Sequence, residues 1–464
     1  MKIYAVVLAA GKGTRMKSDK PKVVHEVLYK PMINHVVDAL KDLGVDETVV
    51  IVGHGAELVK EIVDDVTFVY QYEQLGTGHA LLQAYDFLKD KEGITIVLNG
   101  DAPLIRKETI QGLLDEHINN KNMATVMSAD CDLSLPYGRI IKEGHQVTGI
   151  VEFKDLKDDQ REISEMNCGE YCFDNQSLLK ALKKITNNNA QNEYYLTDVI
   201  GIMNKEGLKV DAYKIDDFDE VGGINNRVQL AQATEVLKKR INTAHLLNGV
   251  NIIDPNNTYI GSDVTIGSDT TIEPGCIIKG KTTIGSHCHI GPYCEFTDVD
   301  IKDHVEIKFS VISDSIIESG TDIGPYARLR TQCHIRENVH MGNFVEMKKA
   351  DFGKGSKAAH LTYIGDAQVG EDVNIGCGTI SVNYDGKNKS LTKIEDHAFI
   401  GCNSNLVAPV TVKKNAFIAA GSTITKDVEE DAMGIARARQ VNKEGYSKVL
   451  KDKREKKYEE NQKG

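Results

Sequence analysis

From Ile260 onward the aliphatic residues recur every six positions: Ile260, Ile266, Ile272, Ile278, Ile284 and Ile290. Four residues after each stands a small or β-branched one (Val264, Thr270, Cys276, Thr282, Cys288, Cys294), and Gly often follows the aliphatic residue directly. A period of six matches neither the helical period of about 3.6 nor the strand period of about 2. It predicts short strands separated by turns and wound as a parallel β-helix, each hexapeptide forming one flat side with its aliphatic residue pointing inward. The phase then slips: the first run ends at Phe296, the pattern resumes at Ile301, a second run spans Ile317 to Met347, shorter ones follow at Phe352 and Val369, and a last clean run spans Ile394 to Ile424. Each slip has to be absorbed at a corner. The largest interruption, Ser381 to Lys393, is polar, is centred on Asp385-Gly386, and reads as a loop thrown out from the wall. At three hexapeptides per coil the array amounts to about nine coils, each rising roughly 4.8 Å.

The first half of the chain follows other rules. Residues 2–9 form a continuous apolar run, as expected of a strand buried on both faces of a parallel sheet. A Gly-rich turn follows, Leu8-Ala9-Ala10-Gly11-Lys12-Gly13-Thr14-Arg15-Met16, with Lys22 after Pro21. Its backbone amides can approach a phosphate, and its cations can neutralise one. It is neither a P-loop, whose spacing is absent, nor a dinucleotide fingerprint, which needs Gly where Met16 stands. Pro31 opens a helix that Gly44 ends. Further buried strands at 48–52, 66–70 and 94–98 alternate with helical patterns, a βαβ series. In such sheets ligands bind beyond the carboxyl ends of the strands, so the loops after strands should carry the chemistry. Asp101, directly after a strand, suits either a Mg²⁺ ligand or the commoner turn and N-cap roles.

Composition limits the partners. The chain has 464 residues, enough for two or three domains, and a net charge of −12, which argues against broad binding to nucleic acid or anionic membranes. Anionic ligands must therefore be held by local basic groups. No run of 18 apolar residues and no cleavable leader is present, which gives the expectation of a cytoplasmic protein. Nine cysteines form no C-x-x-C pair; six lie in the repeat, where Cys276, Cys288, Cys294 and Cys333 fill small inward positions as reduced thiols.

LAAGKGTRM with Lys22, QLGTGHA, an Asp at a strand end and a late GINNR together resemble the sugar-nucleotide pyrophosphorylases. The resemblance implies a Rossmann-like α/β nucleotidyltransferase domain that joins a nucleoside triphosphate to a sugar 1-phosphate. Residue by residue it implies that Leu8, Ala9, Ala10, Gly11, Lys22, Gln71, Gly76 and Thr77 bind the nucleotide, and that Gly138, Glu152, Asn167 and Asn225 complete the UTP and UDP-sugar site. It makes Asp101 and Asn225 the Mg²⁺ pair, with Arg15 and Lys22 catalytic. The family more often carries Tyr where Asn99 stands. No protein nucleophile is needed for this reaction, because a phosphate oxygen attacks in line and catalysis is positioning and charge neutralisation.

A hexapeptide wall alone is compatible with acyltransferases, γ-class carbonic anhydrases and scaffolds. The polar stretch Phe344–Lys349, then Lys357–Asp366 with His360, then Val373–Thr379 and Asn383–Gly386, is similar to the acetyltransferase half of the bifunctional N-acetylglucosamine-1-phosphate uridyltransferase/glucosamine-1-phosphate N-acetyltransferases. That resemblance spans the chain. It implies a left-handed β-helix with His360 as general base, work suited to imidazole. It also implies that Arg330, Lys348, Tyr363, Asn374 and Lys389 hold glucosamine phosphate, and that Cys377, Asn383, Tyr384, Cys402, Ala420 and Arg437 hold acetyl-CoA. Cys377 stands where the family often has Ala, and Cys402 where it often has Ser; a hydroxyl hydrogen bond would be lost at the second. His287, His289, His304 and His340 match no catalytic position and read as surface or core histidines.

The expected organisation is a nucleotidyltransferase domain at 1–226, a helical linker at 227–249, a β-helix at 250–440 and a charged, solvated tail at 441–464. The expected protein is a cytoplasmic homotrimer with Mg²⁺ as cofactor and acetyl-CoA and UTP as co-substrates, making UDP-N-acetylglucosamine for peptidoglycan and envelope polysaccharide. Two rivals remain at this level. One is a nucleotidyltransferase with a regulatory β-helix, which has no reason to carry the His360 cluster. The other is a non-catalytic assembly subunit, which has none to keep Arg15, Lys22 and Asp101.

Overall fold

The computed structural model describes residues 1–144 and 146–462. The chain divides into two compact units: residues Met1–Asn248 with Thr258–Val264, and Gly249–Asn257 with Thr265 onward.

The first unit is built on a nine-stranded sheet. Its strands are β1 (Ile3–Ala9), β2 (Glu47–Val52), β3 (Thr67–Tyr70), β4 (Ile94–Asn99), β5 (Ala124–Asp130), β6 (Arg139–Glu143), β7 (Gln146–Val151), β8 (Glu165–Asp174) and β9 (Val210–Ile215). Across the sheet the order is β9-β5-β8-β4-β1-β2-β3, with β6 and β7 attached to β8 as a hairpin. Every neighbouring pair from β4 to β3 is parallel; β8 runs antiparallel to both β4 and β5. The continuous apolar runs are explained by burial on both faces: Val7 and Leu98 pack into one core, Val6 and Val97 into the other. The helix expected after Pro31 spans Met32–Leu43; Pro31 precedes it and Gly44 closes it at φ 82°. The connector helix Arg227–Leu247 starts where the Asn226 side chain accepts a hydrogen bond from the Gln229 amide at 2.9 Å. Ala233 and Leu237 on it pack with Val27, Met32, Leu104 and Ile224, whereas Val228, on the same helix, is exposed.

The second unit is the left-handed parallel β-helix. Its inward column is almost fully buried: Ile272, Ile290, Ile307, Ile323, Met341, Ile375, Ile400 and Ile418 are each at most 3% exposed. The small positions are buried as well, and Thr270 and Thr282 satisfy their hydroxyls on the carbonyls of Gly285 and Lys279, both at 2.7 Å. The phase slips have a simple origin in coils of unequal length. Stacked partners lie 18 residues apart at Thr271 and His289, 17 apart at His289 and Glu306, and 16 apart at Glu306 and Asp322. Asn374 and Phe399 are 25 apart because that coil holds the polar loop. Corners are turned by residues in the left-handed region, and one such column reads Asp269, His287, His304, Asn338, Asp372, His397, Asn415. Asp, Asn and His are the side-chain-bearing residues that tolerate this conformation best. His287 and His304 thus belong to corners, their rings stacked at 5.0 Å. Within the charged tail Tyr446–Gln462 is a helix with every residue exposed. Lys and Glu propagate a helix without an apolar face, aided by i,i+4 pairs such as Lys451–Glu455 at 3.9 Å.

Candidate active sites

The first site lies where β1 and β4 end. Gly13 adopts φ 59°, and a Cβ there would lie 2.5 Å from Lys22 Cβ, so only glycine lets the turn fold back onto Lys22. Lys22 Nζ is thereby delivered to the Asp101 carboxylate and to Asn225 Oδ1, the latter at 3.0 Å. Arg15 Nη2 donates to the same Asn225 oxygen at 2.9 Å. Residues 15, 22, 101 and 225, scattered over the sequence, converge on one point. Arg15, Asp101 and Asn225 line a cavity of about 380 Å³ whose other walls carry Leu8, Thr77, Gly138, Glu152 and Asn167; Lys22 does not line it and is tied to it through Asp101 and Asn225.

One wall of the cavity is the β6–β7 hairpin. Gly138 and Glu152 flank its open end, and Glu152 accepts from the Thr197 hydroxyl at 3.0 Å. Burial raises the Glu152 pKa above the usual carboxyl value. Gln71 is buried and donates to the Gly76 carbonyl at 3.1 Å, and Thr77 accepts from the Leu196 amide at 3.1 Å. Ala9, Ala10, Gly11, Gln71 and Gly76 do not line the cavity itself; they shape the turns beside it. Thr197 and Tyr137 do line it, and no contiguous motif marked either.

The second site occupies one outer face of the β-helix. Arg330 and Lys348 are register partners on adjacent coils, and Lys348 is in turn opposite Gly365. Arg330 is held by Glu346 through two hydrogen bonds of 2.9 and 2.8 Å. The neighbouring ammonium of Lys389, which can donate only to an uncharged Lys348 amine, holds the Lys348 pKa below the usual lysine value. Lys389 reaches that place because the polar loop turns on an Asx bend, with Asp385 Oδ1 accepting from the Lys387 and Asn388 amides at 2.8 and 2.6 Å. Two ammoniums brought together in this way have the chemistry to hold an anion.

His360 is exposed on the strand Lys357–Val369, opposite Asn343. Its Nδ1 lies 3.2 Å from Asn343 Oδ1. An amide oxygen only accepts, so Nδ1 is the donor in this contact, and in the neutral ring that tautomer leaves the lone pair on Nε2. Asn383 is buried and donates to Asp366; Tyr384 is exposed at the loop's base. Farther along, the amides of Asn403 and Gly421 donate to the carbonyls of Cys377 and Cys402 at 2.7 and 2.8 Å, placing Cys377, Cys402 and Ala420 in consecutive turns of one corner. All nine cysteines are free thiols. Among the described residues no three His, Cys, Asp or Glu side chains form a metal-holding group, and no helix is long and apolar enough to cross a membrane.

A Gly-rich turn on a parallel sheet, followed by a hexapeptide wall that carries an exposed histidine and paired lysines, is the arrangement expected of a nucleotidyltransferase joined to an acyltransferase. The comparisons agree. A MobA-like NTP transferase domain matches residues 5–192, the GMPPB C-terminal domain matches 259–352, and the bacterial transferase hexapeptide matches 391–426. Proteins named "Bifunctional protein GlmU" from a Geobacillus species, Halalkalibacterium halodurans and Clostridium beijerinckii are 54%, 54% and 51% identical, over 96%, 96% and 95% of this chain and 98%, 98% and 97% of theirs. The chain belongs to the GlmU family. It is a bifunctional enzyme of UDP-N-acetylglucosamine synthesis, with acetyltransferase and uridyltransferase activities.

Proposed function

We propose that the two reactions divide between the two sites as their residues divide. In the first, an oxygen of N-acetylglucosamine 1-phosphate attacks the α-phosphate of UTP in line and pyrophosphate leaves. Arg15 and Lys22 stabilise the charge that develops on the phosphates, the turn at Leu8–Gly11 with Gln71, Gly76 and Thr77 holds the nucleotide, and Gly138, Glu152 and Asn167 hold the sugar. The observation that carries this reading is the convergence of Arg15, Lys22, Asp101 and Asn225 at the mouth of the cavity.

Asp101 and Asn225 supply two hard oxygens at that point, the donor chemistry Mg²⁺ prefers, and two protein ligands plus substrate phosphates are its usual set. The residues therefore fit the ion. Bound there, Mg²⁺ would supply charge neutralisation for the phosphates.

In the second site His360 Nε2 takes the proton from the amine of glucosamine 1-phosphate as the nitrogen attacks the thioester carbonyl of acetyl-CoA, and CoA departs as the thiol. Lys348 and Lys389, with Arg330, Tyr363 and Asn374, hold the sugar phosphate. The corner of Cys377, Cys402 and Ala420, with Asn383, Tyr384 and Arg437, holds the acetyl donor. The acetylated product is the sugar substrate of the first site, and free diffusion suffices to carry it there.

The working form in this reading is a cytoplasmic homotrimer. For self-association the support is the column Tyr293, Phe309, Tyr326, Phe344 that ascends to Leu361 beside His360, with rings 5.5–5.9 Å apart and Tyr293, Tyr326 and Phe344 more than half exposed. The test of the whole scheme supplies glucosamine 1-phosphate, acetyl-CoA, UTP and Mg²⁺, then omits each in turn while following free CoA and pyrophosphate. Omitting acetyl-CoA should stop both products and omitting UTP only pyrophosphate. Pyrophosphate release from unacetylated sugar phosphate at the full rate would overturn the order.

A further inference from the structure

Between Asn167 and Tyr171 the pairing of β8 with β5 shifts: four positions on β8 pass while two pass on β5, from Ser128 to Val126. The extra residues make a bulge, and bulges beside sites re-aim side chains. This one carries Asn167 on its leading edge. It is closed internally, Asn167 Oδ1 accepting from the Gly169 amide at 3.2 Å and Asn167 Nδ2 donating to the Tyr171 hydroxyl at 2.9 Å. It is also tied to the end of β4, because Asn99 Nδ2 donates to the Gly169 carbonyl at 3.1 Å and to Glu170 Oε1 at 3.3 Å. Gly169, at φ 93°, is the residue that admits the approach, since any Cβ there would collide with the Asn99 amide.

Glu170 is chemically out of place. It is fully buried, its Oε2 has no hydrogen-bond partner, and it lies in the wall of the cavity. An apolar side chain of the same size would fill that space without an unsatisfied oxygen, so packing alone gives no reason for a carboxyl group. What it does is fix Asn99, and Asn99 stands two residues before Asp101. The pair joins the strand end that bears Asp101 to the bulge that bears Asn167, the phosphate side of the cavity to its sugar side.

We propose that Glu170 is a positioning residue for uridylyl transfer: acting through Asn99, it fixes the distance between the Asp101 strand end and the Asn167 bulge, and so sets how the sugar 1-phosphate is presented. Burial, then the Asp101 charge, push its carboxyl well above the usual range, which disfavours a further negative charge beside Asp101. The inference rests on the assignment of uridylyl transfer to this cavity.

The test uses the full-length protein carrying Glu170→Gln or Glu170→Met. Gln keeps an acceptor for Asn99 and should retain wild-type kinetics. Met removes both oxygens at similar volume; KM for N-acetylglucosamine 1-phosphate should rise about tenfold, as expected for one lost hydrogen bond, while KM for UTP, the acetyl-transfer rate and Tm hold. A KM for the sugar phosphate within about twofold of wild type in Glu170→Met, or an equal rise in both KM values with a falling Tm, would overturn the proposal. Asp101→Ala, measured alongside, separates the two levels: if it still transfers uridylyl groups the site assignment itself fails, whereas a dead Asp101→Ala with an unaffected Glu170→Met removes only the positioning role.

Discussion

Lys22 and Asp101 form an ion pair in which both side chains are 16% exposed, at the carboxyl ends of the central strands. A pair so placed is more than a surface contact, whose contribution would be small. It gathers a cation of the charge a phosphate calls for and a carboxylate of the kind a metal prefers into one polar cluster with Asn225.

The first prediction follows. Asp101→Ala should lower pyrophosphate release by at least about a hundredfold, in line with loss of a preorganised electrostatic group, and leave thiol release from acetyl-CoA unchanged. A parallel fall of both rates would show that the substitution damages the fold rather than the uridylyl site.

For the second site the hydrogen bond from His360 to Asn343 makes a graded prediction. His360→Ala should abolish acetyl transfer and spare uridylyl transfer. Asn343→Ala should keep the base but free its ring, lowering kcat about tenfold with little change in KM, the signature of lost orientation. Equal activity in Asn343→Ala and wild type would dismiss the tautomer argument.

Lys348 and Lys389 predict a pH effect. Because the Lys389 ammonium depresses the Lys348 pKa, Lys348 loses its charge at lower pH than an ordinary lysine, and phosphate binding should weaken correspondingly early on the alkaline side. Lys389→Ala removes that repulsion. It should raise KM for glucosamine 1-phosphate and shift the alkaline limb of kcat/KM to higher pH. A limb that stays in place would mean the two ammoniums do not share one anion.

How much of this was legible in the residues varies with how local the cause is. The inward column was plain because Ile272, Ile290 and their kin repeat at a fixed spacing, and the phosphate turn was plain because Leu8 to Met16 is contiguous. Asn343 was not, because it meets His360 only after one 17-residue coil, and Thr197 meets Glu152 from 45 positions away. Glu170 carried no motif at all; its role depends on a bulge that strand pairing creates. The tail helix escaped notice for the opposite reason, since a segment without an apolar face has no period to read.

The last prediction concerns stability. His117, on the helix Lys107–Asn119, is 3% exposed with Nδ1 3.0 Å from the Thr125 hydroxyl, and burial pushes its pKa down to about 4, with Asp174 opposing. Above the unfolded value of about 6.5 the ring is neutral in both states and the stability is fully present. As pH falls from there toward 4, the unfolded chain takes up a proton that the folded chain refuses, so stability is lost across that window, by up to about 3 kcal/mol. His117→Gln cannot titrate and keeps a partner for Thr125. Urea midpoints of the full-length protein between pH 7 and pH 4 should therefore fall less steeply in the variant than in wild type, and parallel curves would show that His117 is not among the groups responsible for acid sensitivity.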